Sequence, residues 1–319
     1  MITDYRAELR EIKTPARRKL LRKKGTLAIA VVEATPVVWQ DELLRFEWVR
    51  NNDWGAVDGI TREVGCYRFT RIADDAHICE FAEDHAFGCC HAEGDTMYAF
   101  GVRGEGGGNI IDAYWSKDLK SWEEKKEIIR FDEGIRVYNN SVCKGPDGYI
   151  MAIEIHGNTP WPVKGFTCVF AKSRDLVNWE MMDMVKCAYE PSRYTACPVL
   201  RYADGHYYMI CLESLPCHRY VPYITRTKDF ETFQMGHHNP VMWFDDEDRK
   251  VQHPEWFTPE QLDYIANAAN TNVSDLDICE YHGKTVILYS WGNQLGKEFL
   301  GEAEYDGGME EFLKSFYVD

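Results

Sequence analysis

Short runs of alternating apolar and polar residues, each opened by a tight turn, recur along the chain. YIMAIEI at 149–155 follows Pro146-Asp147-Gly148, and HYYMICLE at 206–213 follows Ala203-Asp204-Gly205. KTVILYSW at 284–291 follows Tyr281-His282-Gly283, and DTMYAFG at 95–101 follows Glu93-Gly94. Asp-Gly between apolar runs marks a hairpin, because Gly takes positive φ freely and Asp bonds back to the nearby backbone. These hairpins place strand groups at about 85–130, 135–183, 193–235 and 272–305, and TPVVWQDELLRFEWVRN at 35–51 with CYRFTRIAD at 66–74 supplies a fifth.

A second pattern repeats in register with the first. Ser116-Lys117-Asp118-Leu119-Lys120-Ser121-Trp122 returns as Ser173-Arg174-Asp175-Leu176-Val177-Asn178-Trp179 and as Thr227-Lys228-Asp229-Phe230-Glu231-Thr232-Phe233. The copies begin at 116, 173 and 227, hence 57 and 54 residues apart, just above the roughly 40–50 residues of a four-stranded propeller blade. The hydroxyl and Asp hold a turn through side-chain to backbone bonds, and the Trp or Phe fills the gap to the adjacent sheet. The repeat therefore predicts an all-β fold, a five-bladed β-propeller over 29–319, and says nothing by itself about chemistry.

Two segments break the pattern. Residues 1–28 read as an N-terminal helical, basic extension carrying Arg17, Arg18, Lys19, Arg22, Lys23 and Lys24, and a solvated helix face accounts for such a cluster. Residues 239–271 read as a helical insertion between blades four and five, because Thr258-Pro259-Glu260-Gln261 is a capping box with Pro at the first helical position. Such an insertion either caps one end of the channel or packs against the outside.

Composition narrows the partners. The formal net charge of −16 argues against nucleic acid, whose phosphates would be repelled. No run of 18 apolar residues exists, and MITDYRAELREI lacks the apolar stretch of a signal peptide. Neither a membrane span nor such export is expected. The eleven cysteines contain no Cys-x-x-Cys and sit mostly in apolar strand runs, which suits a reducing cytoplasm without disulfides or zinc.

In a propeller the first strands of all blades line the axis, so polar residues at their starts converge. Those starts are Val32-Glu33-Ala34-Thr35-Pro36, His85 to His91, Tyr138-Asn139-Asn140-Ser141, Tyr194-Thr195-Ala196-Cys197-Pro198 and Asn272 to Asp277. Glu33, Asp275 and Asp277 are the carboxylates in these windows, with Glu190 just ahead of the fourth. Asp275 and Asp277 are two apart and so share a strand face. They serve either a site on the axis or the backbone ties that shut blade five. Convergent carboxylates at a concave, aromatic-walled site are what transfer of a glycosyl group to water requires.

The blade repeats, the strand starts YNNSVCKGPDGYIMA and TACPVLRYADGHYYMI, and the ending SDLDICEYHGKTVILYSWG resemble the five-bladed β-propeller glycoside hydrolases. These are the arabinofuranosidase and xylosidase family 43, with relatives in families 32, 62, 68 and 117. The resemblance spans about residues 30–317 and implies a glycosidase. It also exposes a departure. Where family 43 has an Asp before Pro in the first strand, a second Asp in a later blade and a Glu in Glu-Gly-Pro, this chain has Thr35, Asn139-Asn140 and Ala196.

Either the catalytic groups have moved or the site is a non-catalytic carbohydrate-binding one. On the first alternative, Glu33 or Asp275 is the base and Glu190 or a histidine the acid. Asn139, Asn140, Arg193, Tyr194, Asp277, His85, His91 and His156 are the expected sugar-binding residues. Trp291 belongs either on a sugar face or in the core. Some relatives hold calcium in the channel, which His85 and His91 could face, but calcium prefers oxygen ligands and no acidic metal loop is present; no cofactor is expected. A thiol nucleophile at Cys197 or Cys90 has no Cys–His pair legible in the sequence. The expected substrate is a small oligosaccharide, trimmed from its end by an arabinofuranosidase-, xylosidase- or anhydrogalactosidase-like enzyme.

Overall fold

The computed structural model of the protein describes residues 21–50, 64–104, 106–160, 165–217, 219–294 and 298–318. Its strands sort into five antiparallel sheets in which successive strands pair. Blade one comprises β2 (Thr35–Trp39), β3 (Glu42–Val49), β4 (Cys66–Arg71) and β5 (His77–Phe81). Blade two comprises β6 (His85–Glu93), β7 (Thr96–Arg103), β8 (Ile110–Ser116) and β9 (Glu123–Arg130). Blade three comprises β10 (Ile135–Gly145), β11 (Gly148–Gly157), β12 (Thr167–Ser173) and β13 (Trp179–Met181), with the short β14 (Ala188–Tyr189) also on β12. Blade four comprises β15 (Ala196–Ala203), β16 (His206–Leu215), β17 (Arg219–Thr227) and β18 (Gln234–Met235).

Blade five is assembled from both ends of the described chain. β19 (Asn272–Tyr281), β20 (Lys284–Gly292) and β21 (Glu298–Tyr305) are completed on the outside by β1 (Leu21–Ile29), which pairs antiparallel with β21. The first strands β2, β6, β10, β15 and β19 each touch the next, and β19 touches β2 in turn. The sheets therefore close into the expected five-bladed propeller with these strands around the axis.

The repeated turn performs the structural work expected of it. Ser116 Oγ accepts from the amides of Asp118 (3.2 Å) and Leu119 (2.9 Å), and Asp118 Oδ1 accepts from those of Lys120 and Ser121, both at 2.8 Å. The same bonds form around Ser173 and Asp175 and around Thr227 and Asp229. Leu119, Leu176 and Phe230 then take positive φ of 56°, 66° and 60°. That conformation costs about 1–2 kcal/mol, against which each side chain is buried between blades. The aromatic that follows packs on the preceding blade: Trp122 stacks on Phe81 at 3.8 Å, Trp179 meets Phe100 edge-on at 5.7 Å, and Phe233 lies 6.1 Å from Phe170.

The start of the chain corrects the sequence reading. Arg17, Arg18 and Lys19 lie outside the described residues, whereas Arg22, Lys23 and Lys24 sit on a strand, not a helix. Acidic partners far along the chain explain the difference: Arg22 pairs with Glu304 (2.8 Å) and Lys24 with Glu302 (2.5 Å), both on β21. The propeller accordingly begins at Leu21, before the expected boundary at residue 29.

The insertion forms as read, with two 3-10 turns and a helix α1 (Pro259–Ala266) capped by Thr258 and Gln261. It packs on the outer strand of blade five. The Thr26 amide donates to Lys250 O at 2.6 Å, an approach that Gly25 permits at φ 104°, since a Cβ there would lie 2.3 Å from the same oxygen. Lys23 Nζ reaches the fully buried Asp248 at 2.7 Å, and Tyr289 donates to the same carboxylate at 2.8 Å. A last helix, α2 (Met309–Lys314), buries Phe312 and Leu313 beside blades four and five.

Removing one partner of a buried ion pair leaves the other charge uncompensated, at a cost of about 3–5 kcal/mol. Lys23→Met is therefore expected to destabilise the protein by roughly that amount in urea unfolding, and Asp248→Asn in the same chain should recover much of it. A Lys23→Met protein as stable as wild type would show that the pair does not hold the closure.

Candidate active site

Four of the five inner strands begin with a defect that re-aims side chains, and only β2 pairs regularly throughout. Pairing with the second strand slips between Ala86 and Cys89, Val137 and Asn140, Ala196 and Val199, and Ser274 and Asp277. These are β-bulges, which re-aim a side chain at the expense of one ladder bond. Within them Phe87, Cys197 and Asp275 take positive φ of 51°, 50° and 48°, and Glu33, ahead of β2, takes 56°. None is Gly or Asn, so each conformation costs about 1–3 kcal/mol that the surrounding ring must sustain.

The bulged Cys197 and Asp275 of blades four and five meet Glu33, which stands ahead of β2 in blade one, with one side-chain O or S atom of each within 4.8 Å of the others. They line a chamber of about 30 Å³ with Thr35, Asn139, Asn140 and Asp277. Such a volume admits a water molecule, so a sugar ring must sit above the chamber and present only its reacting atom. The Cys197 thiol donates to Asp275 Oδ1 at 2.7 Å, and Ser274 Oγ donates to Oδ2 at 2.7 Å. Asn139 Nδ2 spans the cluster, reaching Glu154 Oε2 at 3.1 Å, Glu33 Oε1 at 3.3 Å and Cys197 Sγ at 3.4 Å. Glu154 Oε2 also accepts from the Cys197 amide at 2.7 Å, fixing the bulge from behind. Glu33 Oε2 is shut off from solvent and has no hydrogen-bond partner among the described residues.

Negative charge accumulates here faster than it is neutralised. Burial, then the charge of Asp275, holds the Glu33 carboxyl well above its ordinary range, with Arg50 only partly opposing. Burial also raises Glu154 to about 7 and keeps Glu298, which pairs with Arg50 at 3.3 Å, above the usual value. The Cys197 thiol is pushed up by burial and by Asp275. Asp277, two residues farther along β19, pairs with Arg201, which also donates to Ile278 O at 2.6 Å.

Aromatic rings form an arc on the chamber side of the ring. Trp48 meets Phe87 at 4.6 Å, Phe87 meets Tyr138 at 5.3 Å, and Tyr138 meets Phe166 at 5.0 Å. Phe166 and Tyr194 are 5.6 Å apart, as are Tyr194 and Tyr220. The last four in the arc, Tyr138, Phe166, Tyr194 and Tyr220, are half-buried, and Tyr194 lies near Glu154 and Asp275.

Of the residues expected from sequence, Glu33, Asp275, Asn139, Asn140 and Asp277 meet at the chamber, and Tyr194 stands in the arc. Asn140 Nδ2 is committed to Phe87 O at 3.0 Å, tying blades two and three. Arg193 pairs with Glu213 at 2.6 Å beside Tyr194, and His156 is exposed with its ring 5.3 Å from Phe166. Four residues are not brought there. Glu190 is an exposed turn residue whose carboxylate accepts from Ser192 Oγ at 3.4 Å. His85 is buried between Asp112 (2.9 Å) and Tyr114 (3.2 Å) inside blade two. His91 lies farther along β6 beside Glu93 and Tyr149, and burial lowers its imidazole to about 4. Trp291 is fully buried, stacked on Phe299 at 4.3 Å and donating to Thr26 Oγ1 at 3.0 Å, which leaves no face for a sugar.

The sequence reading missed Glu154, the arc rings other than Tyr194, and the central place of Cys197. Glu154 had a signal, a lone carboxylate inside the apolar run YIMAIEI. Glu33, Cys197 and Asp275 also form a mixed ligand set whose sulfur suits zinc better than calcium. Around a tetrahedral zinc a sulfur and an oxygen ligand stand about 3.5 Å apart. The 2.7 Å between Sγ and Oδ1 would have to open by nearly 1 Å to admit such an ion.

No protein-family model matches the chain, and no curated protein does. Solved structures match its fold. A thermostable family-43 glycoside hydrolase superposes with a TM-score of 0.58 at 10% identity, covering 86% of this chain and 89% of that one. The family-43 endo-arabinanase from Bacillus licheniformis gives 0.53 at 9% identity, covering 89% and 96%. A family-32 β-fructofuranosidase from Bombyx mori gives 0.54 at 12% identity over 88% of this chain and 61% of its own length. The chain thus has the fold of the five-bladed propeller glycoside hydrolases.

Because the folded protein holds a proton on Glu154 that the unfolded chain releases, stability should fall as pH rises from about 4.5 to about 7. Glu154→Gln keeps an acceptor for the Cys197 amide and removes the charge. It is expected to gain about 1–3 kcal/mol over wild type at pH 8 and nothing at pH 4. Melting curves at the two pH values check this; parallel shifts would show that Glu154 is not protonated by burial.

Proposed function

We propose that the axial chamber hydrolyses glycosides, taking the end residue of a small oligosaccharide. The observation that carries this is the pair Glu33 and Asp275: two carboxyl groups facing one small space, one with a buried oxygen, Oε2, that has no partner among the described residues, the other accepting two hydrogen bonds. Groups whose surroundings push their protonation apart are suited to acid and base roles. Glu33, kept protonated by burial and by its neighbour's charge, donates a proton to the leaving oxygen. Asp275 acts at the anomeric carbon, as the nucleophile of a retaining pair does. Their approach within 4.8 Å lies nearer the roughly 5–5.5 Å of retaining pairs than the 6.5–9.5 Å of inverting ones.

The half-buried rings of the arc offer stacking faces for a sugar. The neighbours in fold include an endo-arabinanase, an α-L-arabinofuranosidase and a β-fructofuranosidase, which makes pentofuranosides the first substrates to try, with xylosides and anhydrogalactosides after them. The eleven cysteines are all free thiols, which suits the reducing cytoplasm. A non-catalytic sugar-binding role is the second reading, favoured by the absence of carboxylates at Thr35, Asn139-Asn140 and Ala196.

Release of nitrophenol from aryl glycosides of arabinofuranose, xylose and galactose tests the proposal. Glu33→Gln and Asp275→Asn should each lower kcat/KM by about 10²–10⁴ while the proteins stay folded. Leaving groups that need no protonation should restore Glu33→Gln and leave Asp275→Asn impaired. The alkaline limb of wild-type kcat/KM should lie above the ordinary carboxylate range, because Glu33 must be protonated. Sugar binding by calorimetry without turnover of any glycoside would decide for the binding role.

A further inference from the structure

Of the eleven cysteines, Cys197 alone lines the chamber. The residue as a whole is half-buried. Its backbone is held at positive φ in the blade-four bulge and anchored through its amide to Glu154. Such a strained position keeps one side chain aimed at one point. Its thiol donates to Asp275 Oδ1 at 2.7 Å, while Asn139 Nδ2 stands 3.4 Å from the sulfur on another side. A nucleophile, a carboxylate able to take its proton and an amide able to stabilise the resulting anion are thus all in contact. Across the chamber the buried Glu33 Oε2 has no partner, as a group waiting for a leaving oxygen would.

We propose that Cys197 is the nucleophile of a retaining glycosidase, with Asp275 as its base and Glu33 as the acid. The proposal rests on the hydrolase reading above and replaces direct attack by a carboxylate. In the first step Sγ forms a bond to the anomeric carbon as its proton passes to Asp275. The carbon–oxygen bond to the leaving group breaks, and the departing oxygen takes its electron pair and the proton of Glu33. In the second step Glu33, now a carboxylate, removes a proton from water as the water oxygen bonds to the anomeric carbon. The carbon–sulfur bond breaks, and sulfur recovers its proton from Asp275. Acid, base and thiol are all regenerated, and no oxidant or metal is consumed. Burial among carboxylates keeps the resting thiol protonated, so activation comes from Asp275 during attack rather than from a standing thiolate.

The test is to trap the intermediate on the wild-type protein. 2,4-Dinitrophenyl 2-deoxy-2-fluoro glycosides of arabinofuranose, xylose and galactose form the probe set, with intact-mass and peptide analysis as readout. The expected result is one glycosyl adduct on the peptide bearing Cys197, stable to hydroxylamine as a thioglycoside is, with overall retention at the anomeric carbon. Asp275→Asn should slow the labelling by about 10²-fold or more, whereas Glu33→Gln should still be labelled, because dinitrophenolate leaves unaided. Cys197→Ala, shown folded by circular dichroism, should lose turnover and labelling together. A hydroxylamine-labile adduct on Asp275 or Glu33, inversion, or turnover without any adduct would overturn the thiol's role and leave the hydrolase standing. Failure to turn over any glycoside would remove the hydrolase reading and the thiol's role with it.

Discussion

Left-handed backbone at the heads of the inner strands is the constraint on which the site depends. Five strands packed around one axis alternate their side chains between the axis and the neighbouring blades, and a regular ladder would leave the chamber to small or apolar residues. A register slip on blades four and five turns Cys197 and Asp275 onto one point, where Glu33 joins them from the positive-φ turn ahead of β2. Together with Phe87, four such non-glycine positions at about 1–3 kcal/mol each hold an energy comparable to the net stability of a domain, about 5–15 kcal/mol. That cost is sustained by the packing of the blades, three of which are tied to the one before by the repeated hydroxyl–Asp turn and its aromatic, and by β1, which completes the fifth.

Closure and site are linked through charge. The ring is fastened by cations on β1, where Arg22, Lys23 and Lys24 each meet an acid. The chamber shows the opposite balance. Glu33 and Asp275 line the chamber with Glu154 and Glu298 close by, and Arg50, a cation acting on Glu33, is already paired with Glu298. Spending cations at the seam and withholding them at the mouth leaves the mouth groups to settle their charge by keeping protons, and a carboxyl that keeps its proton at neutral pH can donate it to a leaving group.

What could be read from the sequence follows from how local each signal is. Asp-Gly turns and the Ser-x-Asp motif act within a few residues, and they locate the blades and the insertion. The pairing of β1 with β21 joins residues about 280 apart in the chain, and a run of Arg and Lys carries no local mark of the acids that await it. Trp291 was ambiguous for a different reason: β20 is buried on both faces, so alternation cannot separate a core position from a pocket position. Cys197 was hidden by the bulge itself. Counting by twos along Ala196–Val199 assigns faces only while the ladder is regular, and it fails at the residue that the slip re-aims.

The same reasoning explains why the family's carboxylate positions can be vacant while a reactive centre remains. Thr35 stands two residues beyond Glu33 and Asn140 one beyond Asn139, next to Asp277 and Phe87 O, where they serve the wall. The groups that face open space are those held at positive φ. Because the heads of the inner strands meet around one axis, a side chain absent from one blade can be matched by one from another at nearly the same place. The geometry of the ring, more than the identity of any single blade residue, fixes where such groups can gather. In this chain they are a carboxyl on blade one, a thiol on blade four and a carboxylate on blade five, with the thiol in hydrogen-bond contact with the last.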